Sequence, residues 1–180
     1  MKSSIKLIGS LLMLALVLVG CKDQNSIQTY FVDHQELPDF MSFDISTDVV
    51  DFSKANLTKE EQEAYQSVSK LDVLAYKSKS GSLDDYNAEL AKAEIVFENK
   101  KYEELMDFKD NGVSVKVSTV GDNNEIDEFL VLASSKEMGF TIVRIIGDNM
   151  RPEQLIKLSE KLQNADIDQA QFKSLMTFFK

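Results

Sequence analysis

The sequence predicts an α+β domain built on an antiparallel meander. About four C-terminal strands are joined by one or two N-terminal strands, with helices packed on one face. Three observations carry this expectation. From Tyr102 onward the apolar residues recur with a period of two. Asn111-Gly112 separates two such runs by the two residues that a type I′ hairpin turn prefers. Ahead of them, Leu83, Tyr86, Leu90, Ala93 and Phe97 fall at helical spacing and form one apolar stripe.

The elements follow in chain order. Residues 22–30 are short and polar and read as part of a tether. Phe40-Met41-Ser42-Phe43-Asp44-Ile45 alternates as a first strand, with Pro38 just ahead of it. A short helical segment is expected around Asp48–Phe52. Thr58-x-x-Glu61 has the form of a capping box and opens a helix expected to run to about Lys70. Leu71–Tyr76 reads as a second strand. Ser82 is a suitable N-cap for the next helix, with Asp84 and Asp85 in the first turn, where the macrodipole favours negative charge.

With Asn111-Gly112 as the turn, Phe108 faces Val115 and Met106 faces Val117 on one side, while Asp107 faces Lys116 on the other. A turn at Gly121–Asn124 leads to a strand over Ile126–Ala133, and a turn around Ser134–Gly139 leads to Phe140–Ile146. These last two strands are apolar on both faces, which suits central positions. Gly147-Asp148 is expected to end the sheet. Pro152 suits the first position of a helix whose buried stripe is Leu155, Leu158 and Leu162. Beyond Asn164, Ile167, Phe172, Leu175, Met176, Phe178 and Phe179, mostly at helical spacing, predict an amphipathic C-terminal tail docked on the domain as a helix, with an exposed segment for a partner or membrane as the alternative.

The start of the chain has the three parts of a secretory signal. Lys2 and Lys6 supply positive charge, Leu11–Val19 is an apolar core too short to span a bilayer, and Leu18-Val19-Gly20-Cys21 closes it. Those four residues match the bacterial lipobox. Cleavage is expected between Gly20 and Cys21, with diacylglycerol and an N-acyl chain on Cys21. Cys21 is the only cysteine, so an intramolecular disulfide is impossible. The expected organisation is a cleaved signal over 1–20, a lipidated N-terminus and tether over 21–38, a single domain over 39–163 and the tail over 164–180. Lys22 after the lipidated position favours the outer membrane, facing the periplasm, with surface exposure left open.

Charge narrows the partners. Removing residues 1–20 takes away two lysines and no acidic residue, leaving 18 basic and 30 acidic side chains, a formal charge of −12. Such a surface repels phosphate backbones, which argues against nucleic acid. It also leaves the acyl chains on Cys21 as the membrane attachment, with an envelope protein as the possible further partner. Candidate chemistry is thin. The single histidine, His34, stands beside Asp33 without a nucleophile motif and reads as a solvated loop residue. Without further His or Cys, no transition-metal site is expected. The run Asp122–Glu128 is acidic but lacks EF-hand spacing and reads as a hairpin tip. The carboxylate pairs Asp84/Asp85 and Glu103/Glu104 are ordinary on so acidic a surface. No catalytic, metal or cofactor residue is assigned.

The lipobox, the segment Tyr102-Glu103-Glu104-Leu105-Met106, the meander end Phe140–Asp148 and the closing helix Pro152–Leu162 together resemble one family. It is the family of small bacterial lipoproteins grouped as domain of unknown function 4252, and the resemblance covers most of residues 40–163. It implies an α+β lipoprotein with no established activity and no catalytic residues to transfer. The longer polar tether and the Phe-rich tail depart from that pattern. The leading expectation is a lipid-anchored, non-catalytic binding or scaffolding module. The alternative is a regulatory or sensory component of an envelope signalling system, with a hydrolase ranked third.

Overall fold

The computed structural model describes residues 25–46, 50–51, 56–78, 82–122, 125–161, 166–167, 173–174 and 177–179. Among them, helix α1 spans Ile27–His34, strand β1 Phe40–Ser46, β2 Val50–Asp51, α2 Lys59–Ser67 and β3 Val68–Lys77. Helix α3 (Leu83–Phe97) leads to β4 (Glu103–Asp110), β5 (Val113–Asp122), β6 (Glu125–Ser135) and β7 (Gly139–Met150). Helix α4 (Pro152–Lys161) and the short β8 (Asp166–Ile167) follow. A six-stranded sheet runs in the order β1-β3-β7-β6-β5-β4, and all its pairs are antiparallel. The α+β meander is therefore as expected, with two N-terminal strands added at the β7 side.

The hairpin register also follows the expectation. Phe108 pairs Val115, Met106 pairs Val117 and Asp107 pairs Lys116. Asn111 and Gly112 have φ of 48° and 82°, the left-handed geometry that an Asn-Gly turn supplies cheaply. Thr58 and Glu61 form the capping box reciprocally, with the Glu61 N–H donating to the Thr58 hydroxyl at 3.2 Å and the Thr58 N–H to the Glu61 carboxylate at 2.8 Å.

Burial on both faces of β6 and β7 sets the layers. On one face Leu74, Leu130, Leu132, Phe140 and Ile142 form the main core with Tyr30 of α1 and with Tyr86, Ala93, Val96 and Phe97 of α3. On the other, Ile126, Phe129 and Met150 pack with Val68, Val117, Ile145 and Leu155, and Leu155 continues to Ala64 and Leu158. Helices α1 and α3 thus cover one face and α2 and α4 the other, so the single helical layer expected becomes two. The reason lies in the pleat: successive residues of a central strand point to opposite sides, and both rows here are apolar.

Several boundaries differ from expectation. Residues 27–34, assigned to the 21–38 tether, form helix α1, in which the Ser26 hydroxyl caps the N–H of Thr29 at 3.2 Å. Ile27, Tyr30 and Phe31 sit at spacings of three and four, so they bury together in the main core. The folded domain consequently starts well before residue 39. Val50–Asp51, expected as helical, pairs with Asp166–Ile167; a partner more than a hundred residues away supplies the hydrogen bonds that local pattern does not reveal. Helix α2 stops at Ser67 because Val68 enters the sheet opposite Gly147. Strand β7 continues past Gly147-Asp148 to Met150, helped by a bulge opposite Ile126 and by Asn149 at φ 53°. In the tail, residues 166–167 are a strand rather than a helix, and Phe178 and Phe179 are half-buried with ring centroids 5.3 Å apart. Leu162, Phe172, Leu175 and Met176 lie outside the described residues.

Two tyrosines at the α1 interface separate a satisfied from an unsatisfied hydroxyl. Tyr102 accepts the Ile27 N–H at 3.1 Å, whereas the buried Tyr30 hydroxyl has no hydrogen-bond partner among the described residues. Burial, then the nearby Glu89 and Tyr76, hold the Tyr30 phenol above its ordinary pKa. Tyr102→Phe is expected to cost about 1–3 kcal/mol by stranding a buried N–H, while Tyr30→Phe is expected to be neutral or stabilising. A raised folded-state pKa means stability is full below the unfolded value of about 10 and is lost as pH rises through the folded value. Urea unfolding at neutral and strongly alkaline pH will show that alkaline loss in the parent chain and a smaller one in Tyr30→Phe. Gly139, at φ 122°, has no room for a Cβ, which would collide with the Tyr76 carbonyl oxygen. Gly139→Ala is therefore expected to cost several kcal/mol in the same assay.

Candidate functional site

Four places hold polar or reactive groups in defined geometry. The first is an ion network on the α1–α3 face. Arg144 on β7 donates from Nε to Glu128 at 2.7 Å and lies 3.5 Å from Asp72, which it faces across the β3–β7 ladder. Lys70 approaches Asp72 at 2.9 Å and Lys101 approaches Glu128 at 3.9 Å. Asp72 and Glu128 are buried, so each carboxylate is compensated where water is scarce. Both carboxylates are held in ion pairs, Asp72 by Lys70 and Arg144 and Glu128 by Arg144 and Lys101, which makes the network a structural clasp. Glu128, expected at an acidic hairpin tip, instead points inward to Arg144.

The second place is His34. Expected as a solvated loop residue, it closes helix α1, with its side chain only 13% exposed. Its ring stacks on Tyr30 at 3.9 Å between centroids and leans on Phe40 at 5.0 Å. Nδ1 lies 2.7 Å from the Tyr30 carbonyl, which only accepts, so Nδ1 carries the proton. Nε2 then faces Glu89 at 3.9 Å, and Lys92 holds the other Glu89 oxygen at 2.6 Å. Stacked on Tyr30, beside Phe40 and facing Glu89, His34 ties α1 to α3.

The third place is an open cleft of about 550 Å³ between helix α3 and the tips of the two distal hairpins. Tyr86 and Leu90 line its apolar side, and Glu94, Lys109, Lys136 and Glu137 contribute mixed charge. Burial pushes the Tyr86 phenol up in pKa, against a hydrogen bond with Ser134 that pulls it down.

The fourth place is strand β4, the terminal strand of the sheet, and every one of its residues is exposed. Leu105, Met106 and Phe108 are 47%, 44% and 45% exposed. Because Asp110–Val113 closes a two-residue loop, it is a hydrogen-bonded pair, and alternation makes Phe108–Val115 and Met106–Val117 the next ones. The backbone N–H and C=O of Asp107 and Lys109 therefore point outward, away from β5. A bulge at Leu105 interrupts the edge, leaving Met106–Asp110 as its regular stretch. Glu103 and Glu104, weighed as a carboxylate pair, are consecutive strand residues and point to opposite faces. Asp84 and Asp85 are exposed in the first turn of α3, where the Asp85 N–H donates to the Ser82 hydroxyl.

With the geometry in place, comparison with known proteins decides the family. The family model described as Domain of unknown function (DUF4252) matches residues 30–158, more than two thirds of the chain. The chain belongs to this family. No curated protein and no solved structure matches it. The DUF4252 match starts within helix α1, in accord with the burial of that helix, and ends within α4. Cys21 and Gly20, the residues expected to carry lipidation and cleavage, lie outside the described residues. No helix among the described residues is long and apolar enough to cross a membrane.

Sequence reading singled out neither the Arg144 clasp nor the β4 edge. Arg144 stood in an apolar run and was the only charge there, a detectable irregularity. Nothing local distinguished β4 from β5, since edge position depends on sheet order. Removing Arg144 leaves two buried carboxylates near one another, so Arg144→Ala is expected to destabilise the fold by about 3–5 kcal/mol in chemical denaturation. Replacing Asp72, Glu128 and Arg144 together by leucine is expected to recover most of that loss.

Proposed function

We propose that this DUF4252 protein is a lipid-anchored binding module of the bacterial cell envelope, held by acyl chains on Cys21 and presenting strand β4 to a protein partner. The observation that carries the reading is the exposure of Leu105, Met106 and Phe108 on a terminal strand, where solvation alone would favour polar side chains. Outer-membrane residence facing the periplasm is part of the proposal and rests on Lys22.

Chain geometry supports that orientation. Five residue steps separate Cys21 from the α1 cap Ser26, a reach of at most about 18 Å. Asn99 donates its side-chain amide to the Asn25 carbonyl at 3.2 Å, and Tyr102 accepts from Ile27. The start of α1 therefore lies beside the start of β4. From there β4 runs for eight residues, about 26 Å, toward the Asn111-Gly112 turn. An anchor at Cys21 would hold one end of the domain near the bilayer and carry the regular edge Met106–Asp110 and the cleft at the other end. A rigid binding strand directed away from the membrane suits a partner in the aqueous envelope.

Two measurements test this. Cys21→Ala is expected to move the protein from the membrane to the soluble fraction, and mass spectrometry of the mature chain to show acyl groups on Cys21. A free, unmodified N-terminus there would end the anchor reading. A photo-crosslinking amino acid at Phe108 in intact cells is expected to give a discrete protein adduct absent when the same group replaces the exposed Gln66 on α2. Equal labelling from both positions would remove β4 as the binding surface.

A further inference from the structure

We infer that the C-terminal segment ending at Phe178-Phe179 covers the second face of the sheet beyond α2 and α4, docking there as an intramolecular apolar ligand with Phe179 seated at the far end. Neither the anchor at Cys21 nor partner binding by β4 is needed for it.

The strands leave a large apolar area on that face. Helices α2 and α4 meet it around Val68, Val117, Phe129 and Ile145. Next to that contact, Phe43, Val73, Val143 and Val131 pair in succession across β1, β3, β7 and β6. One row further on, Met41, Ala75, Thr141 and Ala133 do the same. Strand alternation puts both rows on the side of Phe129 and Ile145, and Thr141 is the one polar residue in them. Among the described residues, neither row enters a core cluster with a helix. Val73 and Ala75 are nevertheless buried. An apolar area that crosses four strands calls for a cover in water.

Three observations point to the tail as that cover. Phe179 lines a cavity of about 110 Å³ together with Val113, Ala133, Met138 and Thr141, at the far end of the rows. Phe178 and Phe179 are both half-buried, and the sequence ahead of them supplies Phe172, Leu175 and Met176. The tail also sets out from the opposite end. Strand β8 pairs with β2, whose Val50 stands four residues after β1 ends at Ser46, opposite Lys70. Ten residue steps separate Ile167 from Thr177, a reach of at most about 36 Å. The seven residues of β1, which set the length of the face, extend about 23 Å.

Tethering decides between this segment and a second copy of the chain. A segment joined by a short linker acts at an effective concentration of about millimolar, above that of a free copy in dilute solution.

The test uses the mature chain carrying Cys21→Ala, in which an introduced cysteine is the only thiol. Thr141→Cys is expected to react slowly with a maleimide, and at least tenfold faster once Phe178→Asp and Phe179→Asp are added. Phe179→Leu keeps an apolar side chain and is expected to leave the reaction slow. Equal rates with and without the two aspartates would overturn the inference. Ala93→Cys, buried on α3 against the first face, is the control and is expected to stay protected in the aspartate variant. If it accelerates equally, the variant has loosened throughout, and a photo-crosslinking phenylalanine analogue replacing Phe179 in the otherwise unchanged chain decides. Peptide mapping is expected to place its adducts within the same chain, on the strands that hold Val113, Ala133 or Thr141. Adducts joining two copies, or none on those strands, would overturn the inference as well.

Discussion

Strands β6 and β7 are apolar on both faces, and the rest of the molecule is arranged to keep water from both. A central strand with two buried rows cannot be covered from one side. Leu130, Leu132, Phe140 and Ile142 require one layer, while Phe129 and Ile145 require another. The first layer is made by α1 and α3, the second by α2 and α4. These pairs enclose the sheet centre and leave β4 uncovered at its end.

The same constraint draws helix α1 into the fold. Phe40, Tyr76 and Phe140 form an aromatic row across β1, β3 and β7, with Tyr76 and Phe140 stacked at 5.0 Å. His34 and Tyr30 continue the row onto α1. Helix α1 is too short to be stable alone in water, and its helicity comes from this contact. Because the contact begins a few residues after Cys21, core packing also sets the direction in which an anchored domain would face. Charge enters the interior where Arg144 clasps Asp72 and Glu128, and there the ion pairs with Arg144, Lys70 and Lys101 offset desolvation.

The candidate site was only partly legible. The β4–β5 register could be read because the Asn-Gly turn is local and a period of two leaves one register with an apolar face. Met106, Phe108 and Asp107 were thus placed correctly relative to Val115, Val117 and Lys116. That β4 is an outer strand could not be read, since it depends on β1 and β3 joining at β7 rather than beside β4. Ile27, Tyr30 and Phe31 carried a helical spacing, but in eight residues with polar neighbours the pattern resembles a tether until a sheet face is available to receive it.

Local chemistry determined the helix caps, the hairpin turn, the alternation of the strands and the acidic balance of the chain, because each depends on residues a few positions apart. That Cys21 is the single cysteine belongs to the same class of information. Tertiary structure alone decided the two-sided helical cover, the β2–β8 pairing, the Arg144 clasp and the free edge of β4. These depend on contacts between residues tens to more than a hundred positions apart, whose free energy appears only when the sheet order brings them together.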